Sequence, residues 1–217
     1  MRCNILIAGP SGAGKTWVAA HWAAVYHALF PTREILLFSM KEKDENFDVL
    51  PFITRVPRER WDEYLGSSKT QKSRKRVKMN EEDEERPPGE PYKIEELANK
   101  LFIFDDIGSD SRAAELDAFR LKVMTTGRQS QIDVISCTHL ISYSNSNREM
   151  LAEITRIVVF PTTGVDRHIR AFFKNFVGMK EEDCDKMMSR QERSLMLCLH
   201  HPRVLLTSKA VWLYKPS

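Results

Sequence analysis

The sequence predicts an α/β fold of three layers, in which helices cover both faces of a mostly parallel central sheet. Apolar runs recur along the chain at residues 4–8, 34–38, 101–104, 133–137 and 156–160. Continuous apolar runs are typical of parallel strands that are buried on both faces. Helical segments lie between several of these runs, and this alternation of strand and helix indicates a doubly wound arrangement.

Other sequence patterns predict the helices and the last two strands. Residues 15–30 form a predicted helix in which Val18, Trp22, Val25 and Leu29 fall at core spacing, and Pro31 stops it. Further helices are predicted at 111–126 and from about residue 147. Near the end of the chain, "RVLLT" and "AVWLY" flank two turn residues, which predicts a C-terminal hairpin at the edge of the sheet.

Length and composition favour a single domain that spans residues 1–217. The chain has 217 residues, 42% of them hydrophobic, which is enough for one substantial core. A net charge of +3 neither requires nor excludes a polyanionic partner. The four cysteines are scattered without a paired spacing, so we expect reduced thiols. No signal peptide or membrane span is apparent, and we therefore expect a soluble, intracellular protein without a membrane partner.

A charged segment at about 66–91 interrupts the order of strands and helices. It opens with "KTQKSRKRVK", turns acidic at "EEDEER" and ends in "PPGEP". Because almost nothing in it is apolar, we expect a mobile surface insertion. It is either a solvated loop or a nucleic-acid contact, since clustered cations release counterions from phosphates. The cations in question are Lys69, Lys72, Arg74, Lys75, Arg76 and Lys78.

The first strand runs directly into a loop with the spacing of a phosphate-binding motif. The stretch "IAGPSGAGKT" at 7–16 fits G-x-x-x-x-G-K-[ST], and a strand and a helix flank it as the motif requires. Backbone N–H groups of such a loop cradle phosphates at the start of the helix. The predicted cradle consists of Gly9, Pro10, Ser11, Gly12, Ala13, Gly14, Lys15 and Thr16. Lys15 is expected to reach the β- and γ-phosphates, and the Thr16 hydroxyl to ligate Mg²⁺.

An acidic doublet follows the apolar run at 101–104. In "LFIFDDIG", Asp105 is expected to hold the Mg²⁺ shell, and Asp106 to lie nearer the γ-phosphate, where a carboxylate can deprotonate the attacking water. This pair favours hydrolysis, because a small-metabolite kinase needs no water-activating base. The alternative for the doublet is a helix cap or a turn.

Three further residues, Thr138, His139 and Arg128, are candidates for contacts with the negatively charged phosphates. Thr138 and His139 follow the strand at 133–137, at the edge where ligands bind in such sheets, so one or the other is expected to contact the γ-phosphate or the attacking water beside Asp106. A structural histidine is the alternative. Arg128 precedes the same strand, at the opposite edge, where it is better placed to act on a neighbouring subunit as an arginine finger. A surface salt bridge is the alternative for Arg128.

Together these stretches resemble a known family. "IAGPSGAGKT", "ILLFSMKEKDENFDVL", "LFIFDDIG" and "GRQSQIDVISCTHL" are similar to the genome-packaging ATPases of nucleocytoplasmic large DNA viruses and their virophage-like relatives, which belong to the FtsK/HerA group of P-loop translocases. Two positions depart from that group, which often has Gln where His139 stands and Glu where Asp106 stands.

The resemblance implies a RecA-like P-loop NTPase fold, ATP and Mg²⁺ as cofactors, and a homo-oligomeric ring. It further implies that the protein drives double-stranded DNA into a capsid, with capsid protein as a further partner, at the viral assembly site in the host cytoplasm or in the virion. Adenine rather than guanine specificity also comes from the resemblance. Two alternatives remain: a small P-loop nucleotide or metabolite kinase, and a nucleotide-gated binding module that scarcely hydrolyses ATP.

Overall fold

The fold is described from a computed structural model of the chain. The structure describes residues 3–66, 90–139, 148–161, 166–189, 192–200 and 203–214. Most of the charged insertion, including its six candidate DNA-binding cations, lies outside these residues. Its two ends are close together, since a Cβ on Gly66 would lie 3.6 Å from Cγ of Pro91. The chain therefore leaves and rejoins the fold at one place, as an insertion must.

One nine-stranded sheet runs through the described part of the chain. Its strands are β1 (Asn4–Ala8), β2 (Ile35–Ser39), β3 (Ile53–Arg55), β4 (Leu101–Asp105), β5 (Asp133–Thr138), β6 (Arg156–Val159), β7 (Leu195–Cys198), β8 (Arg203–Leu206) and β9 (Val211–Tyr214). Their spatial order is β3-β2-β4-β5-β1-β6-β7-β8-β9. The strands from β3 to β6 in this order pair in parallel, and β7, β8 and β9 add antiparallel.

The helices are α1 (Lys15–Leu29), α2 (Glu45–Asp48), α3 (Asp62–Leu65), α4 (Ala113–Thr126), α5 (Arg148–Ala152), α6 (Asp166–Phe172) and α7 (Glu181–Met188). A π-helical turn, Phe173–Val177, continues α6. The three layers, the parallel sheet and the terminal hairpin are confirmed. Strands β3 and β7 were not predicted, because each has only three or four residues and no turn signal of its own.

Alternate residues of the strands feed two separate hydrophobic clusters, one on each face of the sheet. In β1, Ile5 and Ile7 join the cluster that includes α1, whereas Leu6 and Ala8 join the cluster that includes α4. All four side chains are at most 2% exposed. Burial on both faces explains why these strands read as continuous apolar runs.

The buried face of α1 differs from the predicted one. Val18 is buried and Trp22 is half-buried, but Val25 and Leu29 are 50% and 68% exposed, so the prediction was wrong for the second half of the helix. The face against the sheet is instead formed by small residues, among them Ala19 and Ala23, which are fully buried. Because most residues of α1 are apolar, the spacing alone could not single out the stripe that faces the sheet.

The carboxyl ends of the parallel strands lie along one edge of the sheet, and this edge carries the site. Strand β7 runs antiparallel to β6, with Leu195 opposite Val159. The start of β7 therefore lies at the same edge, as does the end of β8, which pairs with it. The antiparallel extension thus brings residues from near the end of the chain to the side of the loop after β1.

Candidate functional site

The loop between β1 and α1 folds as a compact cradle. The Gly9 N–H donates to the Thr138 carbonyl at 3.1 Å, and the Ala13 N–H donates to the Pro10 carbonyl at 3.3 Å. Gly12 and Gly14 have φ angles of 76° and 105°, which residues with a Cβ rarely adopt. Ser11 and Gly12 are exposed, whereas Ala13 is buried against the core. The glycines therefore permit the tight curl that the motif predicts.

The start of α1 offers unpaired N–H groups to an anion. Gly14 caps the helix without a side-chain hydrogen bond, and its first turn contains no acidic residue. The Lys15 ammonium donates to the Pro10 carbonyl at 2.9 Å and is drawn across the loop. Burial lowers the pKa of Lys15. A helix N-terminus with a lysine folded over it is a site for phosphate groups.

Asp105 ends β4 and lies next to Thr16. The Thr16 hydroxyl is 3.4 and 3.5 Å from the two carboxylate oxygens of Asp105. Asp105 is only 2% exposed, and burial raises the pKa of its carboxyl group, which also accepts a hydrogen bond from the Cys137 thiol. A carboxylate buried without a cationic hydrogen-bond donor is costly, and a divalent cation would offset that cost.

These two residues fit a Mg²⁺ ion. A hydroxyl and a carboxylate at hydrogen-bond range are the hard oxygen ligands that Mg²⁺ takes when phosphates and water supply the rest. Among the described residues, no group of three or more His, Cys, Asp or Glu forms a metal site of its own. The donor set therefore suits a magnesium ion that arrives with a nucleotide.

Asp106 and His139 form a contact at the mouth of the site. The imidazole Nε2 of His139 lies 2.8 Å from Oδ1 of Asp106, and the two side chains are 51% and 36% exposed. Asp106 adopts a left-handed conformation with φ 53°, directly after the end of β4. The predicted proximity of these residues is confirmed, and neither is buried in the core.

The cradle and the acidic residues line one cleft of about 250 Å³. Sequence reasoning missed some of its residues, namely Trp17, Lys41, Asp44 and Asn46. Lys41 and Asp44 form an ion pair of 3.2 Å. They follow β2 at the carboxyl edge of the sheet, so the edge rule that located Asp106 could have found them as well.

Arg128 is exposed and lies at the opposite edge of the sheet. It precedes β5, and its carbonyl accepts a hydrogen bond from the Gln131 N–H at 3.3 Å. Strand β5 is six residues long, which separates its two ends by roughly 16 Å. Arg128 therefore does not reach the cleft of its own chain. The predicted location is confirmed, and its action on a neighbouring subunit stays a prediction.

Arg193 is a cation beside the cradle that sequence reasoning did not single out. Its guanidinium Nη2 lies 3.4 Å from the point where a Cβ on Gly14 would be. It precedes β7, a strand that was not predicted, and no motif surrounds it. Only the pairing of β7 with β6 brings it to the cradle.

In the part of the chain that the structure describes, no helix is long and apolar enough to cross a membrane.

Comparison with known proteins gives likenesses along almost the whole chain. No family model matches it. Among curated proteins, it is similar to the uncharacterized protein V3 of Sputnik virophage, with 24% identity over 203 residues, covering 91% of this chain and 71% of V3. A relative in a virophage agrees with the resemblance that the motifs predict.

Several solved structures that it resembles are NTPases or ATPases. The genome packaging NTPase B204 from Sulfolobus turreted icosahedral virus 2, in complex with AMPPCP, matches with a TM-score of 0.53 and 12% identity over 100% of this chain and 98% of B204. B204 from Sulfolobus turreted icosahedral virus, described as a DNA-packaging ATPase, has a TM-score of 0.54 and 13% identity, with both chains fully covered. These matches confirm the P-loop ATPase fold and the predicted likeness to viral packaging ATPases.

A third likeness shows how broadly this fold is used. The cytoplasmic domain of the type VII secretion ATPase EccC from Thermomonospora curvata has a TM-score of 0.53 and 10% identity, over 94% of this chain but 25% of that one. A secretion ATPase and a packaging ATPase thus share the fold. The cargo must be inferred from features beyond the fold.

Proposed function

We propose that this protein is an ATP-hydrolysing motor that translocates double-stranded DNA into a viral capsid. The observation that carries the proposal is the coincidence of a phosphate cradle and an acidic doublet suited to hydrolysis with the likeness to B204 along the whole chain. The virophage relative supports a viral setting, the virion or its assembly site in the host cytoplasm.

In this proposal the cradle binds the phosphates of ATP. The N–H groups at the start of α1 and the Lys15 ammonium hold the β- and γ-phosphates. Thr16 and Asp105 would hold Mg²⁺, which neutralises charge on the phosphate oxygens when bound. Burial raises the pKa of Asp105, which means that its negative charge is poorly compensated until a cation binds.

Asp106 is the proposed general base, and His139 positions it. A base must lie within hydrogen-bond reach of the water that it deprotonates. The 2.8 Å contact engages one carboxylate oxygen of Asp106 and leaves the other free to accept a proton, in a cleft that Lys15 and Thr16 also line. His139 is proposed to contact the γ-phosphate as well as the base.

This pair favours hydrolysis over the two alternative functions. In a kinase, the acceptor hydroxyl comes from the substrate, and a base held beside the γ-phosphate for water is not needed. A binding module that scarcely hydrolyses ATP would not need a histidine to hold that base in position.

The motor is proposed to be a homo-oligomeric ring in which Arg128 acts in trans. Arg128 lies too far from its own cleft to act there, and the described residues offer it no ion-pair partner that would explain it as a surface salt bridge. An arginine from a neighbour stabilises the charge that develops in the transition state.

The cations of the insertion are proposed to contact DNA phosphates, and capsid protein is proposed as the docking partner.

The first test is ATP turnover with and without double-stranded DNA at fixed low salt, together with the mass of the assembly in solution. We expect DNA to stimulate turnover and the stimulation to decline as salt is raised. Turnover that ignores DNA at every protein concentration would contradict translocation, and transfer of the phosphoryl group to a small molecule would favour a kinase. Nucleotide binding without turnover, with or without DNA, would favour the binding module.

A further inference from the structure

Arg193 is an exposed arginine held against the phosphate cradle by the C-terminal part of the sheet. Beyond the 3.4 Å approach of Nη2, its Cζ and Nε both lie 3.8 Å from the point where a Cβ on Gly14 would be. The whole guanidinium group therefore faces the backbone of Gly14, the residue directly before Lys15.

The guanidinium has no partner within the described residues, although acidic side chains are near in sequence. Glu192 accepts a hydrogen bond from the Ser208 hydroxyl at 2.7 Å and lies 4.0 Å from the Lys209 ammonium. Glu192 is thus engaged with the turn between β8 and β9, and this contact anchors the backbone beside Arg193. An arginine that is positioned but unpaired, next to an anion cradle, is available to bind an anion.

The sheet order tells which end of the nucleotide Arg193 faces. Asp105 and His139 follow β4 and β5, on one side of β1, and they mark the γ-phosphate end of the site. Arg193 precedes β7, which lies on the other side of β1, beyond β6. A phosphate chain that runs across the loop from the γ-phosphate end therefore presents its α-phosphate end to Arg193.

We propose that Arg193 binds the α- and β-phosphates of the nucleotide in cis. This inference rests on the proposed function and concerns the same site, but it assigns to Arg193 a binding role and not a part in bond cleavage. Toward the α-phosphate, away from the bond that breaks, the charge changes little during cleavage. A contact there stabilises substrate and transition state about equally, so its loss raises KM and leaves kcat little changed. An arginine finger would have the opposite kinetic signature.

The test measures ADP affinity by calorimetry in the full chain, and then steady-state ATP turnover. The variants are Arg193→Gln and Arg193→Lys, with Lys122→Gln as a matched loss of one exposed cation on α4. Loss of one charge-assisted hydrogen-bonding group is expected to raise the Kd for ADP about tenfold and KM for ATP by a similar factor. The lysine variant should recover part of the affinity, and Lys122→Gln should match the wild type.

The outcomes separate this inference from the proposed function. Unchanged ADP affinity in Arg193→Gln overturns the inference alone, and so does a fall in kcat at constant KM, which would assign Arg193 to the transition state. A wild-type protein that binds no ADP overturns both. Thermal unfolding of each variant checks that the fold is intact, as expected for an exposed side chain.

Discussion

The imidazole Nε2 of His139 lies 2.8 Å from Oδ1 of Asp106, at the carboxyl ends of two adjacent strands. Asp105, one residue earlier, is instead buried against Thr16 and Cys137. Two successive carboxylates thus have different surroundings, one buried beside a hydroxyl and a thiol and one exposed beside a histidine. Such a division suits an ion-holding group and a proton-accepting group.

Replacing Asp106 by Asn should abolish turnover while nucleotide binding persists. The amide keeps the shape and a hydrogen bond to His139 but cannot accept a proton from water, so we expect kcat to fall by about a hundredfold or more. ADP affinity, measured by calorimetry, should stay within about twofold of the wild type. A variant that retains DNA-stimulated turnover would show that Asp106 is not the base.

His139 can be tested with two replacements that differ in polarity. His139→Gln keeps a polar group that can reach Asp106, whereas His139→Ala leaves the carboxylate unrestrained. We expect the alanine variant to lose about tenfold or more in kcat with KM little changed, and the glutamine variant to keep most of the activity. Equal losses in both variants would show that the imidazole has a role that an amide cannot fill.

Replacing Asp105 by Asn should stabilise the metal-free protein. Burial raises the pKa of Asp105 above its ordinary value of 3.8, so the folded protein binds a proton more tightly than the unfolded chain. The free energy of unfolding therefore falls as pH rises from 3.8 through the raised pKa. The asparagine variant has no carboxyl group at this position and therefore avoids this loss of stability.

The measurement is thermal unfolding of the metal-free protein at neutral pH and near pH 4. We expect Asp105→Asn to have the higher midpoint at neutral pH and a smaller advantage in acid, where more of the wild-type carboxyl is protonated. Glu149→Gln, an exposed carboxylate on α5, serves as the control and should change little. Stabilisation by ADP with Mg²⁺ should be lost in Asp105→Asn, and its persistence would contradict the metal assignment.

The first glycine of the cradle should not tolerate a side chain. A Cβ on Gly9 would lie 2.7 Å from Cδ2 of Phe160, which is 1% exposed, and 3.1 Å from the Cβ of Ala13. Gly9→Ala is expected to lower the free energy of unfolding by about 1–3 kcal/mol through overpacking. Chemical denaturation would measure this change.

Two companion variants identify the cause. Gly108→Ala, which meets no atom within 4 Å, should change stability by less than about 0.5 kcal/mol. The double variant Gly9→Ala with Phe160→Leu should be less destabilised than the sum of its single changes, because the smaller side chain makes room. Additive losses would show that the clash with Phe160 is not the cause.

Arg128→Ala should impair hydrolysis without weakening nucleotide binding. If Arg128 acts in trans, its loss removes transition-state stabilisation, and kcat should fall by about 10³-fold or more. Mixing Arg128→Ala with Lys15→Ala protein should restore part of the turnover, because Lys15→Ala subunits supply Arg128 to intact cradles. Asp106→Asn mixed with Lys15→Ala should restore nothing, since Asp106 acts within its own chain.

Much of the site follows from local sequence because its signals are local. The spacing at 7–16, the apolar runs and the doublet after 101–104 each depend on neighbouring residues, on strand burial and on turn chemistry. The contact of His139 with Asp106 could also be anticipated, because the carboxyl ends of parallel strands meet at one edge. The sequence by itself thus determined the layers, the cradle and the acidic pair.

Tertiary structure decided what depends on long-range pairing. The face of α1 that packs on the sheet was settled by close packing of Ala19 and Ala23, since an apolar helix offers several equivalent stripes. Arg193 reaches Gly14 only because β7 pairs antiparallel with β6. Strand order depends on the packing of the whole chain. The residues around Arg193 in the sequence therefore do not predict that it lies beside the phosphate cradle.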